Sequence, residues 1–201
     1  MAANPYLNAG EKEILENARI GIAGAGGLGS NCAMHLVRAG VRRLVIVDFD
    51  VVAAGNLNRQ FFFADQVGRP KVEALRENLL RIEPDLELEI HNIRLTPDNI
   101  HGIFARCPIV AEAFDRADAK QMLLSSLLPG DKQIVSVSGL GGWGKSNDIR
   151  ARRLGRNLVL VGDGRTGTDP VNGPFPISPR VGIAASMQAN SIAALLLGLE
   201  I

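Results

Sequence analysis

Apolar residues fall along this chain in short runs of two kinds. After a leading arginine, RIGIA (Arg19 to Ala23) and RLVIV (Arg43 to Val47) are continuously apolar, the pattern of parallel strands covered on both faces. Ile109 to Ala113 and Ile134 to Val137 read the same way, and Leu86 to His91 alternates like a strand. Between them, Leu28 to Ala39 has helical spacing with Gly40 as a stop. Further helices are predicted from a Pro70 N1 position to about Ile82, after Thr96-Pro97-Asp98, from Ala117 to about Leu128, and over Val181 to Leu199. Ile149 to Leu154 and Leu158 to Val161 are close enough to form an antiparallel hairpin, followed by a Gly- and Pro-rich loop from Asp163 to Pro179. Strands alternating with helices predict a single α/β domain over residues 1–201. Its fold class is a Rossmann-like, doubly wound, mainly parallel sheet with a C-terminal antiparallel extension. Such sheets bind ligands outside the carboxyl ends of their strands.

Composition narrows the partners. The 201 residues carry 22 basic and 21 acidic side chains, a net charge of +1, so no global charge recruits nucleic acid or an anionic membrane. The N-terminal MAANPYLNAGEKEILE lacks the basic-then-apolar pattern of a secretory signal. Ser186, Gln188, Asn190 and Ser191 interrupt the apolar C-terminal stretch, which reads as a core helix, and a cytoplasmic location is expected. The two cysteines, Cys32 and Cys107, cannot supply a four-thiolate zinc site, so no zinc is expected. Both read as buried structural residues, and His35, His91 and His101 show no ligand spacing.

Five polar signals then follow in order: GAGGLG (24–29), DFD (48–50), NLNRQ (56–60), GRPK (68–71) and AFDRADAK (113–120). Glycines between a strand and a helix let backbone approach phosphate or ribose, and the helix N-terminus favours an anion. Asp48, about twenty residues on at the next strand end, suits ribose hydroxyls, as in nicotinamide enzymes. NLNRQ is different, because a guanidinium among amides suits phosphate oxygens and hydride transfer has no use for it. Lys71 at a helix start opposes the helix dipole and points to an anionic ligand nearby. Asp115, just past a strand, can hold Mg²⁺ against nucleotide phosphates, with a helix-capping Asp as the structural alternative. Trp143, among glycines, is open to either a packing role or a place in a substrate groove.

GAGGLG, VDFDVV, NLNRQ, VGRPK, FDRADAK and PRVGIAASMQANSIAALLLG together resemble the ThiF/MoeB/HesA family of ubiquitin-activating-enzyme-like adenylyltransferases, over roughly residues 18–201. The small size is closest to the short type associated with thiamine biosynthesis. The resemblance implies ATP- and Mg²⁺-dependent adenylation of the C-terminal glycine of a small ubiquitin-like sulfur carrier ending in Gly-Gly, by a homodimer. It implies a nucleotide site of Gly24, Gly26, Gly27, Gly29, Asp48, Asp50, Asn56, Arg59, Gln60, Lys71, Asp115 and Arg116. Within it Arg59, Lys71 and Asp115 would be catalytic, and Asp115 would bind the metal. The chain departs from many relatives in having Gly55 for Ser and Arg116 for Asn. Its MAANPYLNAGEKEILE segment contains no arginine where longer relatives are Arg-rich, and paired CxxC motifs are lacking. Alternatives are a relative acting on a small-molecule, peptide or RNA-borne carboxylate, an NAD-dependent oxidoreductase, and a non-catalytic scaffold.

Overall fold

The computed structural model of the chain describes residues 5–168 and 172–201. Its strands are β1 (Arg19–Ala23), β2 (Arg43–Val47), β3 (Glu87–His91), β4 (Ile109–Glu112), β5 (Gln133–Val137), β6 (Arg150–Leu154) and β7 (Leu158–Gly162). They form one sheet in the order β3-β2-β1-β4-β5-β7-β6. Every neighbouring pair is parallel except β6 and β7. The chain winds outward from β1 through β2 to β3, then returns and winds the other way through β4 and β5. The gap between β1 and β4 is therefore the switch point at which such sheets bind ligands.

The predicted hairpin is present, with its strands in an order that the sequence did not specify. The chain runs to the far edge as β6 and turns back as β7, which adds to β5 in parallel. Apolar β7 residues Val159 and Val161 are thereby covered, whereas the arginine-rich β6 is exposed at the edge.

Period-two alternation divides the sheet between two cores. Ile20, Ile22, Leu44, Ile46 and Ala111 face the first, built with α1 (Ala9–Asn17), α2 (Gly27–Ala39), α3 (Lys71–Leu80) and α6 (Ser178–Leu197). Ala23, Val45, Val47 and Val110 face the second, built with α4 (Pro97–Ile103) and α5 (Ala117–Leu127). Helix α6 is long and apolar enough to pass for a membrane span. Here Val181, Ala184, Ala185, Gln188 and Ile192 of that helix are buried within the protein.

Three boundaries depart from expectation for local reasons. Helix α1 is not among the predicted elements, although Asn8 and Glu11 form a reciprocal capping box with both hydrogen bonds at 2.9 Å. Pro70 is the residue before α3 rather than its first, which makes Lys71 the helix's opening residue. Helix α6 begins at Ser178, with Pro179 in its first turn, and ends at left-handed Gly198.

At the junction of β1 with α2 the backbone of one element presses on that of the other. A Cβ on Gly29 would lie 1.8 Å from the Gly24 carbonyl oxygen, and Gly24 itself has φ +98°. Gly29→Ala is expected to destabilise the protein by about 1–3 kcal/mol, the usual cost of forcing extra volume into a packed site. Urea unfolding with an unchanged m-value would measure it, and a wild-type midpoint would show that α2 can shift freely.

Candidate functional site

The carboxyl ends of β1, β2 and β4 bring the glycine loop against three of the other polar signals. The backbone N–H of Ala25 donates to Asp48 Oδ2 at 2.6 Å, and that of Asp50 donates to Oδ1 at 2.8 Å. Asp48 is thus held by the turn it faces, with lone pairs left over for a ligand. On the other side, a Cβ on Gly24 would meet the Ala113 carbonyl oxygen at 2.9 Å and the Phe114 ring at 3.3 Å. The loop therefore lies directly beside the segment that leads to Asp115.

The NLNRQ segment covers the front of the loop. A Cβ on Gly27 would lie 3.4 Å from Arg59 Cγ, and one on Gly26 would lie 3.8 Å from Gln60 Nε2. Two residues that the sequence reading passed over secure this contact. Asn31 Nδ2 donates to the carbonyls of Gly27 (2.6 Å) and Arg59 (2.9 Å). Ser30 Oγ donates to the Gly26 carbonyl at 2.7 Å and accepts from the Phe61 N–H at 3.0 Å. Their signal was available: in GLGSN, two short polar side chains occupy the first turn of a helix that is otherwise apolar at that level.

Within that segment, Asn56 Oδ1 accepts from the Ala53 N–H at 3.1 Å and so closes a 3-10 turn over Ala54–Asn56. Arg59 Nη1 donates to the Gly55 carbonyl and to Asn58 Oδ1, at 3.1 and 2.8 Å. Among the described residues Arg59 Nη2 and Nε have no acceptor, so half of the guanidinium fork is available to an anion. Gln60 is nine-tenths buried, and its Oε1 has no donor among the described residues. A buried amide oxygen without a partner beside a glycine cradle is costly unless a ligand hydrogen-bonds to it. This geometry fits a nucleotide.

Lys71 corrects one expectation. The cation at the start of α3 has a protein partner, because its Nζ lies 2.8 Å from Asp50 Oδ2. Asp50 is half exposed while Lys71 is buried, so the pair can open toward a phosphate without unburying the lysine's stem. Asp115 is exposed and makes no capping bond to α5, whose N-cap position is Arg116, so the helix-cap alternative falls. Arg116 is turned aside in a two-pronged pair with Asp118, at 3.0 and 2.7 Å. The Arg116 hydrogen bond, with the Ala119 N–H assisting, holds the Asp118 carboxyl down at about 2. Among the described residues no group of three or more His, Cys, Asp or Glu is placed to hold a metal ion. A metal at Asp115 would therefore be shared with phosphates, in keeping with Mg²⁺ sites that use one or two carboxylates.

Both cysteines are buried. Burial pushes the Cys32 thiol far above its ordinary range, and burial pushes Cys107 up to about 11 against the opposing effect of Lys132. Trp143 is 71% exposed, which removes the packing alternative and leaves its ring on the surface of the 139–145 loop.

That loop is anchored by Arg180 from the first turn of α6. Its guanidinium donates to the Leu140, Gly144 and Lys145 carbonyls and pairs with Asp163 at 2.7 Å. Burial pushes the Asp163 carboxyl up, but the Thr166 hydroxyl, the N–H groups of Thr166 and Arg165, and Arg180 outweigh it and hold the group at about 2. With the folded value below the ordinary 3.8, this anchorage is complete above pH 3.8 and is lost as pH falls through about 2. The Tm gap between wild type and Asp163→Asn should accordingly be flat above about pH 4 and close toward about pH 2. A gap that widens with acidification would contradict it.

Comparison with known proteins agrees with this geometry. The model of the ThiF family matches residues 5–201. The adenylyltransferase/sulfurtransferase MoeZ of Mycobacterium tuberculosis is 33% identical over 132 residues, which are 65% of this chain and 34% of MoeZ. The chain thus spans about a third of that relative's length. The Escherichia coli sulfur carrier protein ThiS adenylyltransferase is 28% identical over 193 residues, 95% of this chain and 76% of its own. The crystal structure of Escherichia coli tRNA N6-threonylcarbamoyladenosine dehydratase in complex with ATP superposes with a TM-score of 0.81, covering 94% of this chain and 90% of that one. At 22% identity it bears on the fold alone.

Proposed function

Given that the chain belongs to the ThiF family, we propose that it adenylates the C-terminal glycine of a small ubiquitin-like sulfur carrier of the ThiS type, in thiamine biosynthesis, with ATP and Mg²⁺. The observation that carries this reading is the seating of Arg59 and Gln60 on the glycine loop opposite Asp48, since it joins a ribose site to a phosphate clamp. The near full-length alignment with the ThiS adenylyltransferase supports the choice of carrier.

In the reaction a carrier carboxylate oxygen attacks the α-phosphorus of ATP, the bond to the bridging oxygen breaks, and pyrophosphate leaves with the electron pair. The carboxylate is ionised at neutral pH, so no general base is required. What the protein must supply is in-line positioning and cations where charge moves toward the pyrophosphate. Asp48 and the Gly24–Gly29 backbone orient the ribose and phosphates, and Gln60 Oε1 accepts a donor from the bound nucleotide. Arg59 places its free Nη2 and Nε against phosphate oxygens. Lys71 exchanges Asp50 for the α-phosphate, relieving the charge mismatch at the start of α3. Mg²⁺ held by Asp115 would add charge neutralisation on the phosphates.

ATP with Mg²⁺ should raise Tm and NAD should not, by an increment of about 2.7 kcal/mol at a hundred times Kd. Stabilisation by NAD alone would return the site to hydride chemistry. With a panel of carriers ending in Gly-Gly, ThiS among them, ATP/pyrophosphate exchange should switch on. Arg59→Ala and Asp115→Ala should each slow it by about a hundredfold, as loss of one charge-stabilising group does. Exchange near wild type in both variants would sink the clamp.

A further inference from the structure

The arginines of the chain are not all partnered alike. Arg19 at the start of β1, Arg43 at the start of β2 and Arg106 before β4 pair with the glutamates of edge strand β3, Arg19 with Glu87 and Glu89, Arg43 with Glu87, and Arg106 with Glu89. At the β6 edge Arg150, Arg152, Arg153 and Arg156 are all exposed, as is Arg165 on the loop that follows β7. Among the described residues no carboxylate lies within ion-pair distance of any of these five. Arg150 bonds to the Asn147 carbonyl, and Arg153 bonds to Gln133 and to the Arg156 carbonyl, all neutral groups. Arg152 Nη2 lies 3.0 Å from the point where a Cβ on Gly164 would stand, which brings its guanidinium against the loop that follows β7. In a chain of net charge +1, this is a concentration of cation confined to one strand and its neighbouring loop.

We propose that the β6 edge is the docking surface for a carboxylate-rich face of the carrier's folded body. The proposal rests on the carrier reading above. Three observations favour a small acidic protein as the occupant. First, the strip is short: five strand residues span about 17 Å, which suits one small domain, and the near-zero total charge gives no long-range pull on a polyanion. Along β6 the exposed side chains are arginines and Leu154, with no aromatic ring on which bases could stack. Second, a second copy of this chain would set one arginine strip against another, which like-charge repulsion disfavours. Third, the reach is right. Arg150 pairs in register with Gly162 at the ligand end of β7, and three strand spacings of about 4.8 Å separate β6 from β4, where Asp115 follows. A carrier seated on β6 would need about 14 Å of tail, four or five extended residues, to bring its terminal glycine to the site. Guanidinium forks without carboxylate partners can take carboxylates two-pronged, and a body held there fixes where the tail begins.

The test uses the carrier from the panel above that exchanges fastest, and the variant Arg150→Thr/Arg152→Thr/Arg153→Thr, with residues suited to a strand. Its KM for the carrier should rise about tenfold or more, with kcat at saturating carrier and the ATP-induced Tm shift unchanged. The same three positions changed to Lys should recover most of the affinity. Wild-type KM should climb with added salt, and the Thr variant should respond little. An unchanged KM in the Thr variant, or a Lys variant no better than it, overturns the proposal while leaving adenylation standing. So does loss of tRNA binding without loss of carrier affinity, which would make the strip a nucleic-acid surface. If the wild-type protein gives no exchange at any carrier concentration, the carrier reading itself fails and this docking falls with it, whereas the ATP shift still reports on the nucleotide site.

Discussion

Everything at the ligand end of the sheet depends on a backbone-on-backbone contact, that of Gly29 against the Gly24 carbonyl. Only with no side chain at either residue can α2 start so close to β1. That approach sets the Ala25 N–H against Asp48, and it brings Gly26 and Gly27 under Gln60 and Arg59. Ser30 and Asn31 then bind the covering segment to the same helix turn. In the proposed adenylation, a group displaced by an ångström here would lose the in-line geometry that the attack requires.

A second constraint recurs three times. Lys71 opens α3, Lys120 stands in the early part of α5, and Arg180 stands in the first turn of α6, each a cation near the end of a helix that repels it. Each is matched by a carboxylate at or just past a strand end: Asp50 after β2, Glu112 at the end of β4, and Asp163 after β7. Glu112 is fully buried and is bound by Lys120 and by the Ser136 hydroxyl at 2.6 Å, while Gln188 of α6 donates to its backbone carbonyl. Removing one member of a buried pair costs about 3–5 kcal/mol, so the Glu112 and Lys120 pair and the Asp163 and Arg180 pair each lock a helix start to a particular strand end. Of the three, the Asp50 and Lys71 pair has the most exposed carboxylate, and it is the one beside the nucleotide loop.

The sequence by itself determined the strands, the helices after the first strand and the residue types available to the candidate site. Continuous apolar runs marked β1, β2 and β4 because both faces of a parallel strand must be covered, and the five polar signals marked segments that meet at the carboxyl ends of the strands. It did not reveal α1, because a helix of nine residues with one buried side chain has little periodicity to read. Nor could it say that Lys71 already has a protein partner, that Arg116 is turned aside to Asp118, or that β7 rather than β6 adds to β5. Those outcomes rest on contacts between residues far apart in the chain, or on rotamers set by neighbours that no local pattern encodes. The same holds for Asn31, whose one side chain ties a glycine four residues back to an arginine 28 residues ahead. Residue type fixes which bonds a side chain can make, and only packing decides which of them it does make.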